Sequence, residues 1–290
     1  MYLTDSLKKK VLLFERVNQV LYRFTGLKIY PVKSRLHEIR ADDKMIVSYP
    51  RSGNTWTRFL VANLINKDDK PLTFNSYWQN VASIEDFKLS NRIDSINSPR
   101  ILKSHDVFDP RYKKVVYLVR DPRSVAVSYY YLLKRDRRIP ENIIFKDYLK
   151  DFIQGNYSQG MYSNFGSWEE HVGSWIGGIG HDDNRFLIIK YEDLRANTNI
   201  ELKKIANFFD LSNDDDQIEK AIEYSSMENM KNFSNQRKEL HEKMKIDTSI
   251  PFIRKGSADE WKEHFDEESL SLLYDKFGPI MNKVGYDTEN

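Results

Sequence analysis

Short apolar runs that alternate with helical periodicity constrain this chain more than any other feature. The runs Met45 to Val47, Arg100 to Leu102, Val115 to Val119 and Phe186 to Ile189 are each rich in branched side chains, and each stops at polar or turn residues. Runs of that length without strict alternation read as parallel strands buried on both faces. Between them lie helical patterns: Trp56, Phe59, Leu60 and Leu64 on one face, then Val125 to Leu133, then Trp168, Val172 and Trp175, then Ile200 to Phe209. Strand followed by helix, repeated, predicts an α/β fold of three layers with a central, mostly parallel sheet flanked by helices. The 40% hydrophobic content of 290 residues can fill a large core, which excludes a disordered chain. With no internal repeat, low-complexity tract or Pro/Gly/Ser linker, residues 41–290 read as a single domain.

Charge and cysteine content then remove several functions. Forty-five Lys and Arg against 43 Asp and Glu leave a net charge of +2, so no nucleic-acid partner is expected. The absence of Cys rules out a disulfide scaffold, a thiolate nucleophile and a Cys-type zinc site, and fits a cytoplasmic location. No run approaches the roughly 18 apolar residues of a membrane span. Lys8-Lys9-Lys10 before Val11 to Phe14 has the outline of a signal peptide, but Glu15 and Arg16 end the apolar run too early. Leu7, Val11, Phe14 and Leu21 fall near one helical face instead. Residues 1–40 are therefore expected to form an amphipathic helical extension packed on the body, with weak membrane-surface contact as the alternative.

The stretch Ile46-Val-Ser-Tyr-Pro-Arg-Ser-Gly-Asn-Thr-Trp56 runs from a strand through a small-residue turn into a helix. Gly53 lets backbone approach a ligand, while Ser52, Asn54 and Thr55 offer N–H and hydroxyl donors at a helix N-terminus, a site suited to an anion. A triphosphate loop would read G-x-x-x-x-G-K-[ST]; here there is one Gly, and the cation, Arg51, precedes it.

Further cations gather at other strand ends. Arg120 closes the run Tyr117 to Val119, and Ser128 lies on the helix that follows, a pairing suited to a phosphate monoester. The simpler alternative is an Arg paired with Asp121, with Ser124 as the helix cap. From Arg100 to Arg138 there are eleven Lys and Arg against four Asp and Glu, which makes a local anion funnel reasonable. Lys103 and His105 follow another strand and can present a cation and a base to one point. Arg254-Lys255-Gly256, with Trp261-Lys262 beyond it, can wrap a phosphate with side chains and backbone. Either a solvated basic loop or a surface His is the plainer reading of these last two.

These blocks, in this order over roughly residues 44 to 265, resemble the cytosolic sulfotransferase family, whose donor is 3′-phosphoadenosine 5′-phosphosulfate (PAPS) and whose nucleotide product is adenosine 3′,5′-bisphosphate (PAP). Tyr191-Glu192-Asp193 is similar to the adenine-side motif, and Gly166-Ser167-Trp168 with His171, Val172 and Trp175 to the middle helix. The resemblance implies that Arg51, Ser52, Gly53, Asn54 and Thr55 hold the 5′-phosphate and that Trp56 stacks on adenine. It further implies that Arg120, Ser128, Arg254, Lys255 and Gly256 hold the 3′-phosphate, and that Tyr191, Ser225 and Met227 face the adenine. His105 would act as general base, with Arg51 and Lys103 stabilising developing charge, and no metal would be required. The acceptor would be a hydroxyl or amine of a small organic molecule, since the candidate walls 74–87, 129–165 and 234–252 carry Phe74, Tyr77, Trp78, Phe87, Tyr130, Tyr131 and Tyr162.

Arg51 departs from the family, which usually has Lys there; Arg stays protonated and can only stabilise charge. Asp266-Glu267 stand where relatives with a C-terminal dimer motif show a Thr-Val pair, so monomer and homodimer both stay open. Two rival readings remain: a bisphosphate-binding protein without transferase activity, and an ATP-dependent small-molecule kinase. The second lacks the Walker Lys.

Overall fold

The computed structural model describes residues 39–85, 93, 96–158, 165–179, 183–235, 241, 244–254 and 259–288. The expected N-terminal helix, Phe87, Tyr162, Lys255 and Gly256 lie outside the described residues.

The central strand is β1 (Lys44–Ser48), every residue of which is buried. The others in chain order are β2 (Val81–Ser83), β3 (Ile101–Ser104), β4 (Lys114–Val119) and β5 (Phe186–Lys190). Their order across the sheet is β2-β3-β1-β4-β5, and every ladder is parallel. Among the described residues the α-helices are α1 (Asn54–Leu64), α2 (Pro122–Arg135), α3 (Phe145–Ile153), α4 (Trp168–Gly178), α5 (Tyr191–Ala196), α6 (Thr198–Phe208), α7 (Asp215–Tyr224), α8 (Met227–Asn235) and α9 (Glu267–Lys283). The fold is thus the three-layer P-loop-like α/β architecture expected from the alternation.

Successive strand residues point to opposite faces, and two hydrophobic clusters result. On one face Met45, Val47, Val115 and Tyr117 meet Val125 and Tyr129 of α2, Tyr148 and Phe152 of α3, Trp168 and Trp175 of α4, and Phe277 of α9. On the other, Ile46, Val116 and Leu118 meet Leu60 of α1, Leu202 and Ile205 of α6, and Ile218 of α7. Both faces are covered, which is why the strands carry no polar alternation.

Two expectations need correcting. Residues 74–87, read as a candidate pocket wall, contain β2, whose three residues are too few to carry a pattern. The aromatic stretch 129–165, read largely as a pocket wall, contains α3, whose Tyr148, Leu149, Phe152 and Ile153 are buried in the core. Nor does Ser124 cap α2. The Asp121 carboxylate accepts from the Arg123 N–H at 2.8 Å, and Pro122 occupies the first helical turn, where no N–H is needed.

The connections leaving β1 and β4 run in opposite directions, toward β2 on one side and β5 on the other. That reversal opens a crevice beyond the C-terminal ends of these two adjacent strands, the usual ligand position in an open α/β sheet.

Candidate active site

The crevice is built first by the turn between β1 and α1. Arg51 (φ 72°) and Gly53 (φ 93°) both adopt the left-handed conformation. For Gly53 this costs little, and a side chain there has no room: a Cβ would lie 2.4 Å from the Tyr191 ring. The turn brings the first N–H groups of α1, which have no partner within a helix, to the crevice floor. Ser52 Oγ and Asn54 Oδ1 are buried there with no hydrogen-bond partner among the described residues.

Arg51 reaches across the crevice. Its Nε donates to Ser128 Oγ at 3.0 Å and its Nη2 to the Phe252 carbonyl at 3.3 Å, with the guanidinium 5.1 Å from the Phe252 ring centre. Burial, with Arg120 and Arg254 nearby, lowers its pKa to about 10, so it remains charged at neutral pH.

Arg120, just past β4, donates from Nη1 to the Arg51 carbonyl at 3.1 Å and lies 4.3 Å over the Tyr191 ring. Its Nε is buried without a partner among the described residues. Trp56 meets Tyr191 edge-on with centroids 6.2 Å apart, and its indole N–H donates to the Ser225 carbonyl at 3.0 Å. Arg254 stacks 3.6 Å over Tyr131 and forms an ion pair with Glu260. Three arginines thus face one space, where a low-dielectric wall strengthens their combined field.

His105 lies beyond the end of β3, next to β1. Its Nδ1 is 2.6 Å from the Ser48 carbonyl, which can only accept, so Nδ1 carries the proton and Nε2 is bare. Burial and the Lys103 ammonium push its pKa down to about 4, leaving the ring neutral at pH 7. Its backbone N–H donates to the Glu85 carboxylate, which also binds Lys103 Nζ. Burial opposes the Glu85 charge, but Lys103 and His105 overcome it and hold the carboxyl at about 2. On the other side, His171 Nε2 donates to the His105 carbonyl at 3.1 Å while Nδ1 accepts from the Tyr117 hydroxyl at 3.0 Å.

Arg51, Gly53, Asn54, Thr55, Trp56, His105, Arg120, Ser128, Tyr191, Met227 and Arg254 line one cavity of about 280 Å³. Other expected residues do not reach it. Ser52 is buried beneath the turn. Lys103 is 7% exposed and directed at Glu85. Ser225 lies behind Trp56, its hydroxyl accepting from Asn63 at 3.1 Å. The expected acceptor-wall aromatics are partly spent on packing: Tyr77 stacks on Phe59 at 4.4 Å, and the Tyr130 hydroxyl donates to the Ile143 carbonyl at 2.8 Å.

Sequence reasoning did not single out Ser124, Val127, Leu132, Met230, Phe252 or Glu260, all of which line the same cavity, although Leu132 and Phe252 fall within its candidate walls. Val127 and Ser128 follow Ser124 by three and four positions, and Met230 follows Met227 by three, so helical periodicity could have found them. Phe252 sits in irregular chain and gives no such signal.

A sulfotransferase domain family matches residues 41–285. The chain belongs to the sulfotransferase family. This sulfotransferase is 32% identical over 256 residues to sulfotransferase 1E1 of Bos taurus, covering 82% of this chain and 84% of that protein. It is 31% identical over 241 residues to sulfotransferase 2A2 of Rattus norvegicus, covering 78% and 80%. Its fold is similar to that of mouse sulfotransferase SULT7A1 complexed with PAP (TM-score 0.65, 23% identity, 87% of this chain and 91% of that one). It is also similar to retinol dehydratase in complex with androsterone and the inactive cofactor PAP (TM-score 0.68, 22% identity, 88% and 84%). Sulfuryl transfer is the family's chemistry. Among the described residues of this sulfotransferase, no helix is long and apolar enough to cross a membrane.

Proposed function

We propose that this chain transfers a sulfuryl group from 3′-phosphoadenosine 5′-phosphosulfate to a hydroxyl or amine of a small organic acceptor, with His105 as general base. The observation that carries the reading is one cavity holding cations at two strand ends, an aromatic pair beside them, and the bare Nε2 of His105. A bisphosphorylated adenosine needs two separate anion sites with a flat apolar surface between them.

The residues fit that donor. Arg120 lines the cavity, and its Nε is a buried polar group whose hydrogen-bonding capacity is unused within the described residues. Such groups cost about 1–3 kcal/mol each unless a ligand or water meets them. Gly53, lacking a Cβ, lets the Tyr191 ring close directly against the turn. Arg51 and the N-terminus of α1 hold the 5′-phosphate; Arg120, Ser128 and Arg254 hold the 3′-phosphate; Trp56, Tyr191 and Met227 pack on the adenine.

The donor supplies the sulfuryl group. His105 Nε2 takes the acceptor proton as the new bond to sulfur forms, and the Ser48 carbonyl stabilises the imidazolium through Nδ1–H. Arg51, fixed by Ser128 and the Phe252 carbonyl, stabilises negative charge on the departing phosphate oxygen without transferring a proton to it. Lys103 acts through Glu85, whose second carboxylate oxygen fixes the His105 backbone.

Calorimetric titration tests the nucleotide half of the proposal. Adenosine 3′,5′-bisphosphate is expected to bind tightly without magnesium, and ADP and ATP weakly; a preference for magnesium-ATP overturns it. An acceptor screen with mass detection of the added sulfate tests the transfer half.

A further inference from the structure

Glu260 is the one carboxylate among the described residues that line the cavity, and it is spent on the cation that closes the far end. Its side chain is 12% exposed and that of Arg254 14%, so the pair is largely shielded from water. The backbone under Glu260 is held independently. Trp261, the next residue, packs beneath the Arg123 guanidinium at 4.1 Å, and the Phe265 N–H donates to the Trp261 carbonyl at 3.1 Å. The Glu260 side chain can therefore leave Arg254 without the turn moving.

Arg254 also has a reason to need a counter-ion. Arg254 and Arg120 line the same cavity; burial first, and then the Arg120 charge, disfavour the Arg254 cation, while Glu260 and Glu263 support it. A phosphate placed between Arg120 and Arg254 would serve the same purpose and would repel the carboxylate at close range. The two anions compete for one cation.

Building on the donor reading above, we propose that Glu260 is a competing counter-ion that limits the affinity of the site for a 3′-phosphate. It neutralises Arg254 in the empty site, is displaced by the 3′-phosphate, and returns to help expel the bisphosphate product. The effect is confined to ligands that carry a 3′-phosphate, because the remaining nucleotide contacts lie on Arg51, α1 and Tyr191. The device limits product affinity in a cavity that three arginines would otherwise make very tight.

The test is calorimetric titration of adenosine 3′,5′-bisphosphate and of adenosine 5′-monophosphate into the wild-type chain, Glu260→Gln and Glu260→Ala. Gln keeps the shape and Ala removes the side chain, so a folding defect in one does not decide the matter. Both variants are expected to bind the bisphosphate about three- to tenfold more tightly, with monophosphate affinity changed less than about twofold. Bisphosphate binding that is unchanged or weaker in both variants overturns the proposal, weaker binding meaning that Glu260 holds Arg254 in place for the ligand. Tightening of both nucleotides alike also overturns it, because the effect would then be general charge. If the wild-type chain does not bind the bisphosphate at all, the donor reading falls together with this one.

Discussion

The Nδ1–H of His105 donates to the Ser48 carbonyl across 2.6 Å, tying the residue after β3 to the last residue of β1. The bond fixes the tautomer and leaves Nε2 as the acceptor toward the cavity. Replacing His105 with Ala is expected to lower the transfer rate by about 10²- to 10⁴-fold, the range of a positioned general base. Nucleotide affinity is expected to stay within about twofold, since no phosphate role rests on the ring. Single-turnover kinetics together with a nucleotide titration check this, and parallel losses in both would remove His105 from the chemical step.

Acid is expected to affect activity and stability over different windows. The base must be neutral, and His105 titrates at about 4, so transfer measured in brief assays is expected to stay level down to about pH 5 and halve near 4. Stability falls earlier. His105 and His171 are depressed from an ordinary 6.5 to about 4 and about 3, so the unfolded chain binds more protons than the folded one below 6.5. Their contribution is fully present above 6.5 and is lost as pH falls toward 3. Glu85, depressed from 4.5 to about 2, adds in the same direction: its contribution is present above 4.5 and lost as pH falls through 2. Urea midpoints between pH 8 and 4 read the first part of that slope; a midpoint that rises on acidification contradicts it.

Arg51 makes two bonds from separate nitrogens, to Ser128 on α2 and to the Phe252 carbonyl. A Lys ammonium keeps the charge but cannot span both partners. Arg51→Lys is expected to weaken bisphosphate binding by less than about tenfold. Arg51→Ala, which leaves the 5′-phosphate without its cation, is expected to weaken it by about 30-fold or more, given roughly 2 kcal/mol or more for a charged hydrogen bond. Equal losses in the two variants would show that contact geometry, not charge, sets affinity.

Gly53→Ala combines an unfavourable φ of 93° with a Cβ 2.4 Å from the Tyr191 ring. Tyr191 carries the Arg120 guanidinium at 4.3 Å, so the displacement passes directly to the second anion site. The substitution is expected to destabilise the fold by about 1–3 kcal/mol and to weaken nucleotide binding beyond tenfold. Thermal unfolding and titration measure the two effects separately.

Periodicity explains how much of this could be read in advance. Met45 to Val47 and Val115 to Val119 are continuous apolar runs because helices cover both faces of the sheet, and that signal predicted the architecture. That Arg51, Gly53 to Trp56, Arg120 and His105 meet at one cavity was legible because the ends of parallel strands are where a sheet presents side chains to ligands. Glu85 was not, since it follows a three-residue strand within an otherwise irregular segment and meets Lys103 and His105 only through tertiary packing. Lys103, read as a cation next to the candidate base, is directed at the buried Glu85, a partner that the sequence does not show. Phe252 and Glu260 belong to stretches without regular spacing, so nothing local marks them as facing the cavity.

The Lys103–Glu85 pair supplies the last test. Both side chains are largely buried, at 9% and 11% exposure, so removing one charge strands the other in a poorly solvated place. Glu85→Gln keeps an oxygen that can accept from the His105 N–H and from Lys103, and so removes charge with little change of shape. It is expected to destabilise the fold by about 3–5 kcal/mol, the range for breaking a buried pair from one side. The double variant Glu85→Gln/Lys103→Met, which leaves no unpaired ion, is expected to recover most of that loss. Urea unfolding of the two single variants and the double variant closes the cycle. A single-variant cost below about 1 kcal/mol would mean that water reaches the pair and that its electrostatics do not hold His105 in place.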